Sequence, residues 1–240
     1  MKAVLFDVDD TLYDQVSLFE KAYNTLFGDR FKLSVEELFK ASRRRSDEVF
    51  EPARSGKITM NEMYIYRIQK AFEDLGYEIS SEESLEFQRL YAENQKRITI
   101  SEMMADLLEL CHEHHVPMGV ITNGSSGHQW NKVRMLGLSR WIPEEYTVVS
   151  DDCGCAKPDE GIFRFAQQKL DMSPEDLWFV GDSYANDVIG AKKAGWHVVW
   201  LNKRNQEISS EKIQPDYCVK NEAELCECLL GILGLKVTLH

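Results

Sequence analysis

Six short apolar runs set the first limit on what this chain can fold into. Ala3–Phe6 (AVLF), Met118–Ile121 (MGVI), Tyr146–Val149 (YTVV), Leu177–Val180 (LWFV), His197–Leu201 (HVVWL) and Tyr217–Val219 (YCV) are too short for helices. They are rich in β-branched and aromatic residues and read as buried strands. Between them, 102–114, 127–136, 159–170 and 184–194 carry apolar residues at three- and four-residue steps, clearest at Met103, Met104, Leu107, Leu108 and Cys111. Alternation of this kind predicts an α/β fold with a parallel, doubly wound, Rossmann-like sheet and helices on both faces. The last strand and a helix over Glu222–Leu233 complete its edge.

One long stretch breaks the alternation. From about Tyr13 to Ile98 only helical patterns appear, over Leu18–Phe27, Ser34–Phe50, Met60–Leu75 and Glu82–Lys96, with breaks near Gly28, Gly56 and Gly76. Ser34 with Glu37 and Ser80 with Glu83 have the spacing of capping boxes. The expected organisation is therefore an α/β core formed by 1–13 and 98–240, with an all-helical domain over 14–97 inserted after the first strand.

The charge balance narrows the function. With 28 Lys+Arg against 40 Asp+Glu, the net charge of −12 argues against coating a nucleic acid polymer or an anionic membrane. Nothing resembles a membrane-spanning run, and the N-terminal apolar stretch turns acidic at Asp7, too early for a secretory signal. The expectation is a cytoplasmic protein with six reduced cysteines at 111, 153, 155, 218, 226 and 228. Cys153-Gly-Cys155 and Cys226-Glu-Cys228 lack the C-x-x-C spacing of a zinc knuckle.

In open parallel sheets, ligands bind beyond the carboxyl ends of the strands. There this chain places Asp7-Val8-Asp9-Asp10-Thr11, Thr122-Asn123-Gly124, Ser150–Ala156 leading to Lys157-Pro158, and Gly181-Asp182-Ser183 with Asp187 beyond. Clustered Asp7, Asp9 and Asp182 would repel one another without a cation, and Mg²⁺ suits an all-oxygen donor set that also bridges to phosphate. Lys157, Thr122 and the backbone N–H groups at Asn123 and Gly124 can hold phosphoryl oxygens. A carboxylate facing such a phosphoryl group can attack it, giving an aspartyl-phosphate.

DVDDT at 7–11, ITNG at 121–124, KPD at 157–159 and GDSYAND at 181–187 resemble, in order and strand context, the four motifs of the haloacid dehalogenase-like hydrolase superfamily. The helical insert resembles that superfamily's cap, a domain suited to closing over a small ligand. The resemblance implies Asp7 as nucleophile and Mg²⁺ ligand, and Asp9 as general acid and then base, its backbone carbonyl also touching the metal. It implies Thr122 and Lys157 as phosphoryl ligands, with Lys157 restraining the charge of Asp7. Asp182 would ligate Mg²⁺ directly, and Asp187 would act through water or by orienting its neighbours. In the dehalogenases of this superfamily the residue two after the nucleophile is not acidic, because expelling halide needs no proton. Asp9 therefore favours phosphoryl chemistry.

The stretch TNGSSGHQWNKVRMLGL, 122–138, is similar to the branch with nucleotidases and acylneuraminate-9-phosphate phosphatases. The expected activity is Mg²⁺-dependent hydrolysis of a small soluble phosphate ester, a nucleotide or sugar phosphate. A phosphomutase of the β-phosphoglucomutase type, or a catalytically silent binding module, is the alternative. Of the remaining features, His112-Glu113-His114-His115 reads as a solvated helix end and Arg43-Arg44-Arg45 as a solvated helical face. Phe50, Tyr64 and Tyr66 read as core of the helical domain, and His128, Gln129 and Lys132 as the rim of the site.

Overall fold

A computed structural model describes residues 1–206, 208 and 213–235; positions 207, 209–212 and 236–240, within the core expected from the sequence, lie outside the described residues. The chain divides into two compact units, Met1–Tyr13 with Ile98–His240, and Asp14–Arg97.

The first unit is built on six strands: β1 (Ala3–Phe6), β2 (Met118–Thr122), β3 (Thr147–Val149), β4 (Leu177–Gly181), β5 (His197–Leu201) and β6 (Tyr217–Val219). They lie in the order β3-β2-β1-β4-β5-β6 and every neighbouring pair is parallel. Val4 pairs with Met118 on one side and Trp178 on the other, so β1 sits at the centre. The order reverses there, because the chain runs outward to β3 on one side and to β6 on the other. β1, β2, β3 and β4 are buried at every residue, as strands covered on both faces must be.

On one face, Leu5, Ile121, Phe179, Val198 and Trp200 form a core with Ile162 and Phe163 of helix Glu160–Leu170 and Ala191 of helix Ile189–Lys193. Elsewhere in this unit, helix Glu102–Glu113 packs with helix Glu222–Leu233. β2 and β4 each reach one residue further than the apolar pattern suggests, carrying Thr122 and Gly181 at their ends. The helix expected over 184–194 begins as a wide π-turn, Tyr184–Val188, before becoming regular at Ile189. His112, His114 and His115 are exposed at the close of their helix. Among the described residues, no helix is long and apolar enough to cross a membrane.

The second unit contains four helices, numbered here α1 (Gln15–Leu26), α2 (Val35–Arg54), α3 (Met60–Asp74) and α4 (Ser81–Gln95). The side chains of Asp14, Ser34, Thr59 and Ser80 each accept a hydrogen bond from a first-turn backbone N–H. Ser80–Glu83 is a full capping box, and so is Thr59–Glu62, which the sequence reading missed. At Ser34 only half of the box forms, because Glu37 turns to Lys40, 3.0 Å away.

The centre of this unit is aromatic. Phe19 meets Phe39, Phe87 and Tyr91 edge-on at centroid distances of 5.3, 4.7 and 5.6 Å, and Phe72 meets Phe27 and Phe31 at 5.2 and 5.1 Å. Such pairs add to the area term of burial. Phe50 is not part of it: it is 50% exposed, while Tyr64 and Tyr66 are half-buried and Tyr66 donates to Glu48 at 2.8 Å. Phe72→Ala should lower the stability of this unit by about 3–5 kcal/mol, read as an earlier midpoint in urea unfolding followed by far-UV circular dichroism. Phe50→Ala should change it by less than about 0.5 kcal/mol.

Candidate functional site

All of the expected site residues lie in the first unit, and they gather where the sheet order reverses. Asp7 follows β1 directly, its N–H donating to Val180 O at 2.8 Å, which keeps it in line with β4. Its carboxylate is nearly buried, and Lys157 Nζ lies 2.6 Å from Oδ1. The same ammonium forms an ion pair with Asp187 Oδ1 at 2.7 Å, without the angle of a hydrogen bond. Lys157 thus sits between two buried carboxylates. Burial works against its charge, but Asp187 and Asp7 more than offset this and hold its pKa above the ordinary lysine value.

Asp187 reaches the centre because of the π-turn. Ser183 caps that turn by accepting from Asn186 N–H at 3.2 Å, and Asp187 Oδ2 accepts from Ser183 N–H at 2.9 Å. A Cβ on Gly181 would overlap the Asp187 carboxylate, so the end of β4 must be glycine for the carboxylate to fold back over it. Asp7, Asp182 and Asp187 each bring a carboxylate oxygen within 4.8 Å of the other two, and among the described residues this is the one such cluster of metal-ligating side chains. Asp187 therefore stands beside Asp7 and Asp182 while also holding the Lys157 ammonium and the Ser183 N–H.

Motif two has a structural duty as well. The Asn123 side chain clamps the main chain of Lys157, donating from Nδ2 to its carbonyl at 2.9 Å and accepting from its N–H at 2.8 Å. Its amide is thereby occupied, and only main-chain groups at Asn123 remain for a ligand. Gly124 N–H donates to Ser150 Oγ at 2.9 Å. Thr122 Oγ1 donates to Gln129 Oε1 at 3.1 Å, and Gln129 Nε2 donates in turn to Asn123 O at 2.9 Å and reaches Asp9 Oδ2 at 3.4 Å.

Asp9 is held from several directions. Lys132 Nζ donates to both of its oxygens, at 2.6 and 2.7 Å, and Tyr13 donates its hydroxyl to Oδ1. Gln129 and Lys132, expected at the rim, are buried, at 3% and 4% exposure. Asp10, with φ of 62°, turns away from this group and pairs with Arg204 at 2.7 Å; Arg204 also lies 3.6 Å from Asp182. Neither Arg204 nor Tyr13 has a motif to mark it. Arg204 arrives from the loop after β5, and only the adjacency of β5 to β4 brings it here.

Five carboxylates (Asp7, Asp9, Asp10, Asp182, Asp187) thus face three cations (Lys132, Lys157, Arg204). The surplus of two negative charges equals the charge of one divalent ion, and carboxylate oxygens are the donors a hard ion such as Mg²⁺ prefers. Without such an ion the strain is electrostatic. Burial first, with Asp187 and Asp9 adding and Lys157 opposing, raises Asp7 to about 7. Asp182 is pushed well above the usual carboxylate range by burial and then by Asp10, Asp187 and Asp7. A carboxyl raised from 3.8 to about 7 in the folded state binds its proton more tightly there than in the unfolded chain, so it stabilises the fold at low pH and loses that contribution as pH rises between those values. In metal-free buffer, stability should fall over this window, and Asp7→Asn should flatten the fall and exceed wild type at pH 8 by on the order of 1–3 kcal/mol in urea unfolding.

Comparison with known proteins gives the same picture of the fold. The family model for haloacid dehalogenase-like hydrolases matches residues 1–195. The chain is 28% identical to a glyceraldehyde 3-phosphate phosphatase of Methanopyrus kandleri over 95% of its length and 96% of the relative's. It is 24% identical to the pyrimidine 5′-nucleotidase PynA of Streptococcus pneumoniae, over 99% and 98%. Among solved structures it resembles the HAD-hydrolase YfnB of Bacillus subtilis, which was crystallised bound to magnesium, with a TM-score of 0.69, 24% identity and coverage of 98% and 99%.

Proposed function

The chain belongs to the haloacid dehalogenase-like hydrolases and is a hydrolytic enzyme, and from that premise we propose that it is a Mg²⁺-dependent phosphatase of small phosphate esters, nucleotides or sugar phosphates, working through an aspartyl-phosphate on Asp7. The observation that carries the reading is Asp9. A second carboxyl group two residues after the nucleophile can give a proton to a departing alkoxide, which a departing halide does not need, and the buried lysine fixes where that group stands. The relatives named as a phosphatase and a nucleotidase support the same class of substrate.

Asp7, Asp182 and the main-chain carbonyl of Asp9 would hold Mg²⁺, with Asp187 alongside; the ion supplies the positive charge that lets a carboxylate approach a phosphoryl group. Asp7 attacks phosphorus with a carboxylate oxygen as the bond to the ester oxygen breaks. Thr122, Lys157 and the main-chain N–H at Asn123 hold the non-bridging oxygens, for which Thr122 rotates its hydroxyl away from Gln129. Asp9 gives its proton to the departing oxygen. It then takes a proton from the water that attacks phosphorus, which releases phosphate and restores Asp7. Asn123 keeps Lys157 at the correct height by its two bonds to the Lys157 main chain.

Lys132 is the positioning residue for Asp9. Lys132→Met should lower kcat for an alkyl phosphate by roughly 100-fold or more, and for p-nitrophenyl phosphate far less, because a good leaving group hardly needs the proton. Lys132→Arg should recover part of the alkyl activity. Equal losses on both esters would assign Lys132 to the fold instead. The class itself is tested by phosphate release from p-nitrophenyl phosphate, nucleoside monophosphates and sugar phosphates. Release that requires Mg²⁺, stops with EDTA and is absent in Asp7→Asn is the expected result; silence across the panel would overturn the reading.

A further inference from the structure

The two Cys-x-Cys motifs share a spacing but not a geometry. Cys226 and Cys228 lie on the regular helix Glu222–Leu233, where residues two apart face different sides. Cys153 ends the short helix Ser150–Cys153, and Gly154 follows with φ of 74°, a left-handed turn that glycine adopts without strain. The turn folds Cys155 back, and the two sulfurs lie 3.5 Å apart. Both side chains are partly buried at the edge of the sheet's core, and Cys153 Sγ donates to Cys155 O at 3.3 Å.

We propose that Cys153 and Cys155 are a thiol–disulfide exchange site, closing to an intramolecular disulfide in reaction with a low-molecular-weight disulfide. The proposal is independent of the phosphatase reading. In the first step the Cys153 thiolate attacks one sulfur of the small disulfide, its S–S bond breaks, and one thiolate leaves to take up a proton. In the second, Cys155 gives its proton to solvent and attacks Cys153 Sγ, and the second small thiolate departs. The pair loses two electrons and the small disulfide becomes two thiols. Burial, and then the neighbouring Cys153, push Cys155 up to about 11, which suits it to the second, resolving step at close range rather than to first attack.

The site is joined to the phosphate-binding loops on both sides. Ser150, which opens the short helix, accepts from Gly124 N–H, and Lys157 follows Cys155 by two residues. The bond also removes the hydrogen bond that Cys153 makes to Cys155 O. In a reducing compartment such a bond is transient.

The test uses the full chain and glutathione disulfide as the probe, at pH 8, followed by iodoacetamide and peptide mapping. The expected result is a 153–155 peptide that has lost two hydrogens, carries neither glutathione nor alkyl group, and regains both thiols with dithiothreitol. Cys155→Ser should instead trap glutathione on Cys153. The Cys226–Cys228 peptide serves as the internal comparison and should show mixed disulfides or free thiols but no internal bond. Alkylation of both Cys153 and Cys155 after oxidation, or glutathione persisting on Cys153 in the wild type, would overturn the proposal and leave the pair as two small apolar side chains at the edge of the core.

Discussion

The ammonium of Lys157, between the carboxylates of Asp7 and Asp187, is the interaction on which the rest of the site depends. Each member is buried, so removing Lys157 leaves two carboxylates without their shared cation in a low-dielectric setting, whereas removing either carboxylate leaves Lys157 paired with the other. Three pieces of local structure exist to keep the triad together. Asn123 fixes the Lys157 main chain from the end of β2, the π-turn swings Asp187 inward, and Gly181 leaves the space into which it swings. Three strand ends are in this way tied to one cation. The same arrangement carries more negative than positive charge, and a site selected only for stability would not keep that surplus.

Around this centre the polar groups form two linked sets. One is Asp7, Asp182 and Asp187 with Lys157, which suits a divalent ion and a nucleophile. The other is Asp9 with Lys132, Tyr13 and Gln129, which suits the handling of a proton. Gln129 touches Thr122, Asn123 and Asp9, so the end of β2 proposed to bind phosphate and the carboxylate proposed to handle the proton are joined by one side chain. Movement of Thr122 toward a ligand would be felt at Asp9 through Gln129.

The strands were legible because each is a short apolar run, and the burial of β1 to β4 on both faces leaves a signal in adjacent residues. Asp7 and Asp182 were legible as candidates because each immediately follows a strand, Thr122 because it closes one, and Asp9 and Lys157 because they lie further along the segments that follow β1 and β3. What could not be read is whatever depends on proximity between distant segments. Lys132 stands more than 120 residues from Asp9, and nothing in the periodicity of its helix says that it turns inward. Arg204 comes from a loop with no pattern of its own. The π-turn was read as ordinary helix because it has the same apolar spacing, and its extra width shows only in where Asp187 ends up. In the helical unit, Phe50 fits a core pattern yet lies exposed, because the other aromatics already fill the centre.

The central claim is that Asp7 is the group that takes the phosphoryl. It is tested most directly by mixing enzyme, Mg²⁺ and a phosphate ester labelled at phosphorus, quenching in acid within a turnover, and mapping the label. The label is expected on the peptide that carries Asp7, gained and lost at rates consistent with turnover. Sustained phosphate release with no label on that peptide, or with label on another, would contradict it.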